Sequence, residues 1–130
     1  MNLDPALLEQ LRSMLSKSRR SLQADQNHLA EADFDFAASR ACYATFYAME
    51  AALLTKGVTC STHGGVLTTF SERFIKTGTL PSEFGAKAAR LFRERQIGDY
   101  ELDVSVTGPD AERDVAIAAD MVEAIERLLS

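Results

Sequence analysis

The chain of 130 residues has no tryptophan, only two histidines and two cysteines, and no apolar run long enough to cross a membrane. Cys42 falls in an apolar stretch typical of a core helix, and neither Cys42 nor Cys60 has a second cysteine at metal-ligand spacing. His28 and His63 lie far apart in the sequence. We therefore expect neither a metal site nor a cofactor.

The sequence also lacks an excess of basic residues, since its formal net charge is −5. This charge argues against a general nucleic-acid coat, which depends on Lys and Arg. Basic residues are frequent between Arg73 and Arg95. They would form either a local basic face or a solvated surface of mixed charge, and the second is the simpler explanation. Residues 1–5 do not have the order of a signal peptide. We expect a soluble cytoplasmic protein without a membrane partner.

Apolar periodicity and capping residues predict about five helices, an all-α bundle in a single domain spanning residues 1–130. Asp4 and Pro5 begin the first helix, which is expected to reach about Ala32. We expect the others to run from the Asp33 cap to Gly57, from a Ser61 or Thr62 cap to Gly78, from Pro81 to near Gly98, and from Gly108 onward, with residues 102–107 suited to a short extended stretch.

The second predicted helix is apolar almost all round, which indicates a central, buried element. One of its sides is large and another is a stripe of alanines, which would let a backbone approach closely, within the chain or across a dimer. The large side holds Phe36, Tyr43, Tyr47 and Leu54, with Phe46 and Leu53 beside them; the small side holds Ala37, Ala41, Ala48 and Ala52.

Three polar residues fall on faces that the pattern directs to the core. Arg40 shares the large face of the second helix, His63 opens the apolar line of the third, and Arg95 ends the apolar stripe of the fourth. Burying a guanidinium without a partner is costly, so anions should be near. The candidates are a phosphate from outside or, within the chain, Asp33, Glu50 and Asp99.

Two interpretations of these residues stay open. In one, Arg40 and Arg95 form partly buried ion pairs that fix helix register, and His63 is structural. In the other, the two arginines, an imidazole near a helix N-terminus and the glycines of residues 64–65 suit a bound anion. The tyrosines on the Arg40 face would then stack on a base, although core packing also explains them.

These residues lie in segments that resemble the HEPN domains of bacteria and archaea. The resembling segments are ASRACYATFYAMEAALL (residues 38–54), THGGV (62–66) with the helix that follows to KTG (76–78), and RQIGDY (95–100). The resemblance covers most of the chain, from about Leu22 to the last helix. It implies an up-and-down bundle that dimerises, with the polar residues near the dimer cleft.

The resemblance also implies two kinds of activity. Many HEPN members are metal-independent endoribonucleases that serve as toxins in toxin–antitoxin or defence systems, and others are encoded beside a small nucleotidyltransferase and act with it. The ribonuclease members carry an arginine followed, after a short spacer, by a histidine. Here the arginine is Arg95, but no histidine follows His63; Asp99-Tyr100 stands instead, which is similar to an Arg-x-x-x-Asp-Tyr branch of the family.

Cleavage of RNA through its 2′-hydroxyl needs a base and a cation beside the phosphate. Asp99 is normally too weak a base and Tyr100 too weak an acid, so His63 would have to substitute if the fold brings it near Arg95.

The leading hypothesis is a homodimeric HEPN protein whose polar cleft binds nucleotide or RNA phosphate and which acts with a small nucleotidyltransferase, in a toxin–antitoxin or stress module. One alternative is a divergent metal-independent endoribonuclease with His63 and Arg95 as catalytic residues. Another is a non-catalytic dimeric interaction module. The predicted ligand-binding residues are Arg40, Tyr43, Tyr47, His63, Arg95, Asp99 and Tyr100.

Overall fold

The computed structural model describes residues 4–130, which form five α-helices and one π-helical segment. The helices are α1 (Pro5–Ala30), α2 (Phe34–Leu54), α3 (His63–Phe70), α4 (Glu83–Tyr100) and α5 (Gly108–Leu129), and the π-helical segment Ser71–Ile75 continues α3. Residues 4–130 contain no β-strand, which confirms the all-α class. Within that range no helix combines the length and apolarity needed to cross a membrane. The N-terminal pattern at residues 1–3 lies outside the described residues.

Capping residues set most of the helix boundaries. The Asp4 carboxylate accepts a hydrogen bond from the Leu7 N–H at 3.0 Å and begins α1. Helix α1 ends at Ala30, earlier than expected, because Ala32 adopts a left-handed backbone with a φ of 59°. The left-handed Gly57 and Gly78 follow α2 and the π-helical segment, as their positions in the sequence predicted.

The structure corrects one predicted helix cap and decides between two candidates for another. Asp33 occupies the N-cap position of α2, but its side chain makes no capping hydrogen bond and instead lies 3.6 Å from the His28 Nδ1. Of the two candidates before α3, Thr62 is the cap, since its hydroxyl accepts the Gly65 N–H at 2.9 Å.

The predicted end of the fourth helix near Gly98 is wrong, because α4 continues to Tyr100. Gly98 does not end the helix; it lets α4 approach α2 closely. A Cβ at this position would lie 2.5 Å from the Asp35 carbonyl oxygen. The extended stretch expected at residues 102–107 forms no strand, since no neighbouring strand in the described chain pairs with it. The Val106 N–H binds the Asp35 Oδ1 at 2.8 Å.

Helix α2 is the centre of the bundle, as predicted, and it contacts α1, α4 and α5. Ser18 of α1 donates a hydrogen bond to the Ala44 carbonyl at 2.7 Å, which shows how closely the two helices approach. The alanine side of α2 is fully buried, at 0% exposure for Ala37, Ala41, Ala48 and Ala52.

The large side of α2 is buried only in part: Phe46, Leu53 and Leu54 lie in the core, but the other large residues do not. Phe36 is 54% exposed, and Arg40, Tyr43 and Tyr47 are only half-buried. The small alanine side chains let the neighbouring helices close over that side, so the core forms there. Tyr43 and Tyr47 are left at the edge, where one contacts α4 and the other contacts α1.

Candidate functional site

Arg95 of α4 lies in a box of aromatic rings. Its guanidinium carbon is 5.6 Å from the ring centroid of Tyr43, 5.3 Å from that of Phe92 and 5.8 Å from that of Tyr100. The residue is only 5% exposed, whereas Tyr100 at the rim is 66% exposed. Ring faces attract cations, and they stabilise this charge without neutralising it.

The hydrogen bonds of Arg95 are few and long. Its Nη1 lies 3.4 Å from the Asp99 Oδ2 and 3.5 Å from the Tyr43 hydroxyl. The Nε of Arg95 is buried and has no hydrogen-bond partner among residues 4–130. A buried guanidinium normally satisfies its donors, so Arg95 retains the capacity to bind an anion.

His63 packs into the same rings from the first turn of α3. Its ring centroid is 4.8 Å from that of Phe46, 5.7 Å from that of Tyr43 and 6.0 Å from that of Phe92. His63 and Arg95 therefore share two aromatic neighbours. Desolvation by burial, followed by the positive charge of Arg95, lowers the pKa of His63 below its ordinary value of 6.5. This shift favours the neutral form of the imidazole, which has a free nitrogen lone pair.

We call this group the Arg95 cleft, formed by Tyr43, His63, Phe92, Arg95, Asp99 and Tyr100. The structure brings together five of the predicted ligand-binding residues here. Arg40 and Tyr47 lie beside the cleft: the Arg40 guanidinium carbon is 4.5 Å from the Tyr43 ring centroid, and the Tyr47 centroid is 6.3 Å from that of Tyr43.

The predicted anionic partners behave differently from one another. Asp99 is the partner of Arg95, as the sequence suggested, but Asp33 faces His28. Within residues 4–130, Glu50 forms no ion pair, and neither does Arg40. The expectation that Arg40 points to the core is wrong, because its face of α2 lies at the edge of the bundle and remains open to solvent.

Comparison with known proteins identifies the family of the chain. A model of the HEPN domain matches residues 11–128. The chain belongs to the HEPN family. A Methanocaldococcus jannaschii protein named "Putative toxin" is 35% identical, over 79% of this chain and 70% of the relative. A Thermotoga maritima "UPF0332 protein" is 38% identical, over 72% and 70% of the two chains, and a second Methanocaldococcus jannaschii "Putative toxin" is 26% identical, over 98% and 94%.

Sequence reasoning missed Phe92, which completes the box of this HEPN domain. The spacing could have indicated it. Phe92 precedes Arg95 by three positions, and residues with this spacing are neighbours on a helix surface. It also missed a partly buried ion cluster centred on Arg90 of α4. Arg90 lies 2.9 Å from Asp114, 3.1 Å from Asp110 and 3.1 Å from Glu94.

The cleft of this HEPN domain combines three chemical capacities. Arg95 offers a positive charge with an unused donor, His63 offers a neutral imidazole, and exposed Tyr100 offers a ring face. A phosphate needs the first, proton transfer needs the second, and a nucleobase stacks on the third. The arrangement suits a nucleotide or a phosphodiester.

Proposed function

We propose that this HEPN domain is a toxin-like protein that binds RNA or nucleotide phosphate in the Arg95 cleft and acts with a small nucleotidyltransferase. The observation that carries the proposal is the buried, incompletely paired guanidinium of Arg95 beside neutral His63. The relatives named as toxins support the toxin-like role.

A phosphate oxygen would bind the Nη end of Arg95, where the hydrogen bonds to Tyr43 and Asp99 are long, at 3.5 and 3.4 Å. Hydrogen bonds between a guanidinium and an anionic oxygen are stronger than neutral ones, and a dry aromatic surrounding strengthens them further. Asp99 would hold the Nη1 end and so orient the free edge. Tyr100, exposed at the rim, would contact the sugar or base.

Binding of a labelled single-stranded RNA and of a labelled nucleotide, followed by fluorescence anisotropy, tests the cleft. Arg95→Gln should weaken both by about tenfold or more, as expected when a charged hydrogen-bond donor is removed. Arg93→Gln is the matched control, since Arg93 is exposed on the same helix and outside the cleft. Equal binding by folded Arg95→Gln and the original protein would contradict the proposal and favour a purely structural role for Arg95.

The toxin-like role and the partner are tested in cells. Induced expression of the chain should arrest growth, Arg95→Gln should relieve the arrest, and Arg93→Gln should not. Co-expression with the nucleotidyltransferase encoded nearest to this gene should give a complex that co-elutes and suppresses the arrest. Growth unaffected by the original protein would overturn the toxin-like role.

We include a homodimer in the proposal. Large apolar side chains are exposed at the start of α2 and in the loop after α4: Phe36 at 54%, Leu102 at 97% and Val104 at 55%. Exposed apolar side chains of this size are typical of an interface. Sedimentation equilibrium should give twice the chain mass, and Leu102→Glu with Val104→Glu should give the monomer; a monomeric original protein would contradict this part.

A second candidate function is metal-independent endoribonuclease activity, and the proximity of His63 to Arg95 favours it. His63 would take the proton from a 2′-hydroxyl, whose oxygen attacks the adjacent phosphorus and forms a 2′,3′-cyclic phosphate. The bond to the 5′-oxygen breaks, and that oxygen takes a proton from water as it leaves. Arg95 would stabilise the charge on the phosphorus centre.

Incubation of labelled RNA with the protein in EDTA tests this second candidate. Cyclic phosphate ends should form with the original protein, and His63→Ala should remove the cleavage while RNA binding persists. Cleavage that survives His63→Ala would exclude His63 as the base. Binding without cleavage would leave the first proposal standing alone.

A further inference from the structure

The groove between α1 and α2 collects positive charge from both helices. Lys17 and Arg20 of α1 and Arg40 of α2 line a groove of about 240 Å³, and no carboxylate lies among its lining residues. Lys17 and Arg20 are exposed, and Arg40 is half-buried. The remaining lining residues are Ser21, Ala24 and Tyr47.

These cations have no anionic partners in the described part of the chain, where Lys17, Arg20 and Arg40 form no ion pair. Arg19, adjacent in sequence, does pair with Glu126 of α5. Carboxylates are plentiful in a protein of net charge −5, so their absence from the groove is a local feature. Like charges around one groove repel each other, and a bound anion would relieve that repulsion.

The groove is continuous with the Arg95 cleft through two tyrosine rings. Tyr43 lies 5.6 Å from the Arg95 guanidinium and 4.5 Å from that of Arg40. The Tyr47 ring centroid is 6.3 Å from that of Tyr43, and the Lys17 Nζ is 5.6 Å from the Tyr47 centroid. A row of cations and aromatic rings therefore runs from α4 across α2 to α1.

The basic surface also extends along α1. A second groove, of about 450 Å³, shares Lys17 and Arg20 with the first and adds Arg12, with Glu9, Ser13 and Ser16 completing its lining. A mononucleotide would occupy only one part of such a path. A polymer whose phosphates and unpaired bases can meet several cations and rings in succession suits this path.

We propose that the α1–α2 groove binds the backbone of a single RNA strand. Another phosphate of the same strand would bind at Arg95. This inference rests on the proposed function of the Arg95 cleft and extends it to a polymeric ligand. Lys17, Arg20 and Arg40 contact phosphates, and Tyr47 stacks on a base. The RNA path begins at Arg95, and the strand continues from there along α1.

Anisotropy titrations with two labelled probes test the groove: a single-stranded RNA about 12 nucleotides long and a trinucleotide. The triple variant Lys17→Gln, Arg20→Gln, Arg40→Gln should weaken the longer RNA at least tenfold and change trinucleotide affinity less than about twofold. Loss of three phosphate contacts should also lower the slope of log affinity against log salt by about 2. The matched control changes three exposed cations elsewhere to Gln, namely Arg73, Lys76 and Arg113.

The outcomes separate the two proposals. If Arg95→Gln weakens both probes and the groove variant weakens neither, the Arg95 cleft stands and the groove inference fails. If the groove variant weakens the longer RNA and Arg95→Gln has no effect, the proposed function fails and the groove remains an RNA site. An equal loss in the control variant would reduce the effect to net charge and overturn the inference.

Tyr47 provides a test that does not alter charge. Tyr47→Leu should weaken the longer RNA by about tenfold, because a stacking surface is lost, while Tyr47→Phe keeps the ring and should bind nearly as well as the original protein. Equal binding by the leucine and phenylalanine variants would contradict stacking. Equal affinity for a duplex of the same sequence would contradict a single-stranded ligand.

Discussion

Arg90 and Arg95 lie on the same helix, and both are largely withdrawn from solvent, yet their surroundings differ. Arg90 is held between three carboxylates at 2.9 to 3.1 Å, one of which, Asp114, is fully buried. Arg95 has one carboxylate at 3.4 Å, a ring of aromatic side chains and a buried Nε without a partner among the described residues. The charge of Arg90 is balanced by several carboxylates, whereas that of Arg95 is only partly balanced, by one carboxylate at a longer distance.

This difference distinguishes an arginine that stabilises the packing of two helices from one that is still able to bind an anion. The Arg90 cluster joins α4 to the start of α5, and its hydrogen bonds leave little capacity for a ligand. The Arg95 cleft instead holds a positive charge in a dry, aromatic surrounding, where an anionic oxygen would be bound strongly. The comparison predicts that the two arginines respond differently to the same substitution.

The largest expected effect is on stability. Arg90→Met should lower the unfolding free energy by roughly 3–5 kcal/mol, because it leaves buried Asp114 without its partner. Arg95→Met should cost only roughly 1–3 kcal/mol, since its carboxylate partner is not fully buried. Urea denaturation at pH 7 measures both. Equal losses would remove the distinction and make Arg95 a structural residue.

Asp25 extends the comparison to a buried charge with still less compensation. It is 0% exposed, and neither carboxylate oxygen makes a hydrogen bond of good geometry within residues 4–130. Desolvation by burial raises its pKa from 3.8 to about 8. The folded state therefore keeps a proton that the unfolded state releases above pH 4, and stability must fall as pH rises from about 4 to 8.

We expect Asp25→Asn to remove a slope of about 1.4 kcal/mol per pH unit from the unfolding free energy between pH 5 and 7. Asp114, whose pKa burial raises to about 7, contributes a separate slope that this variant retains. Urea denaturation across the pH series measures the slope. Asp120→Asn, at an exposed position of α5, should leave it unchanged. An unaltered slope in Asp25→Asn would show that Asp25 ionises inside the fold.

The sequence was sufficient to predict the helices because their termini carry explicit signals. Asp4 with Pro5 and the left-handed Gly57 mark ends that local chemistry alone determines. Gly98 misled, because a glycine that ends a helix and one that permits a close approach look the same in sequence. Only the packing of α4 against Asp35 distinguishes them.

The site was predictable in its residues and less so in its geometry. Arg95 and His63 stood out as polar groups on apolar faces, but their shared neighbours depend on how α3 packs, which periodicity does not give. Arg40 was assigned to the core because α2 is apolar on several sides. Lys17 and Arg20 were missed, since a cation that lines a groove has the same pattern as a solvated one.

A smaller effect is expected where α4 approaches α2, next to the Arg95 cleft. Gly98→Ala places a Cβ 2.5 Å from the Asp35 carbonyl oxygen and should cost roughly 1–3 kcal/mol while displacing Asp99 and Tyr100. Gly85→Ala is the matched control on the same helix, because a Cβ there meets nothing within 4 Å. The control should stabilise by roughly 0.5–1 kcal/mol. Thermal denaturation compares them; a neutral Gly98→Ala would show that α2 and α4 separate freely.

The smallest expected effect is a change in the pKa of His63. This change tests the difference between Arg90 and Arg95 most directly. Burial lowers this pKa first and the charge of Arg95 lowers it further, so Arg95→Gln should raise it part of the way towards 6.5. Arg90→Gln should not move it, because burial and the charge of Arg95, and not Arg90, lower the pKa of His63. NMR titration of the imidazole carbon protons measures the shift. A pKa that rises in both variants, or in neither, would show that Arg95 is no more available to its neighbours than Arg90. A rise confined to Arg95→Gln would mean that the partly compensated charge of Arg95 acts on the imidazole of the cleft.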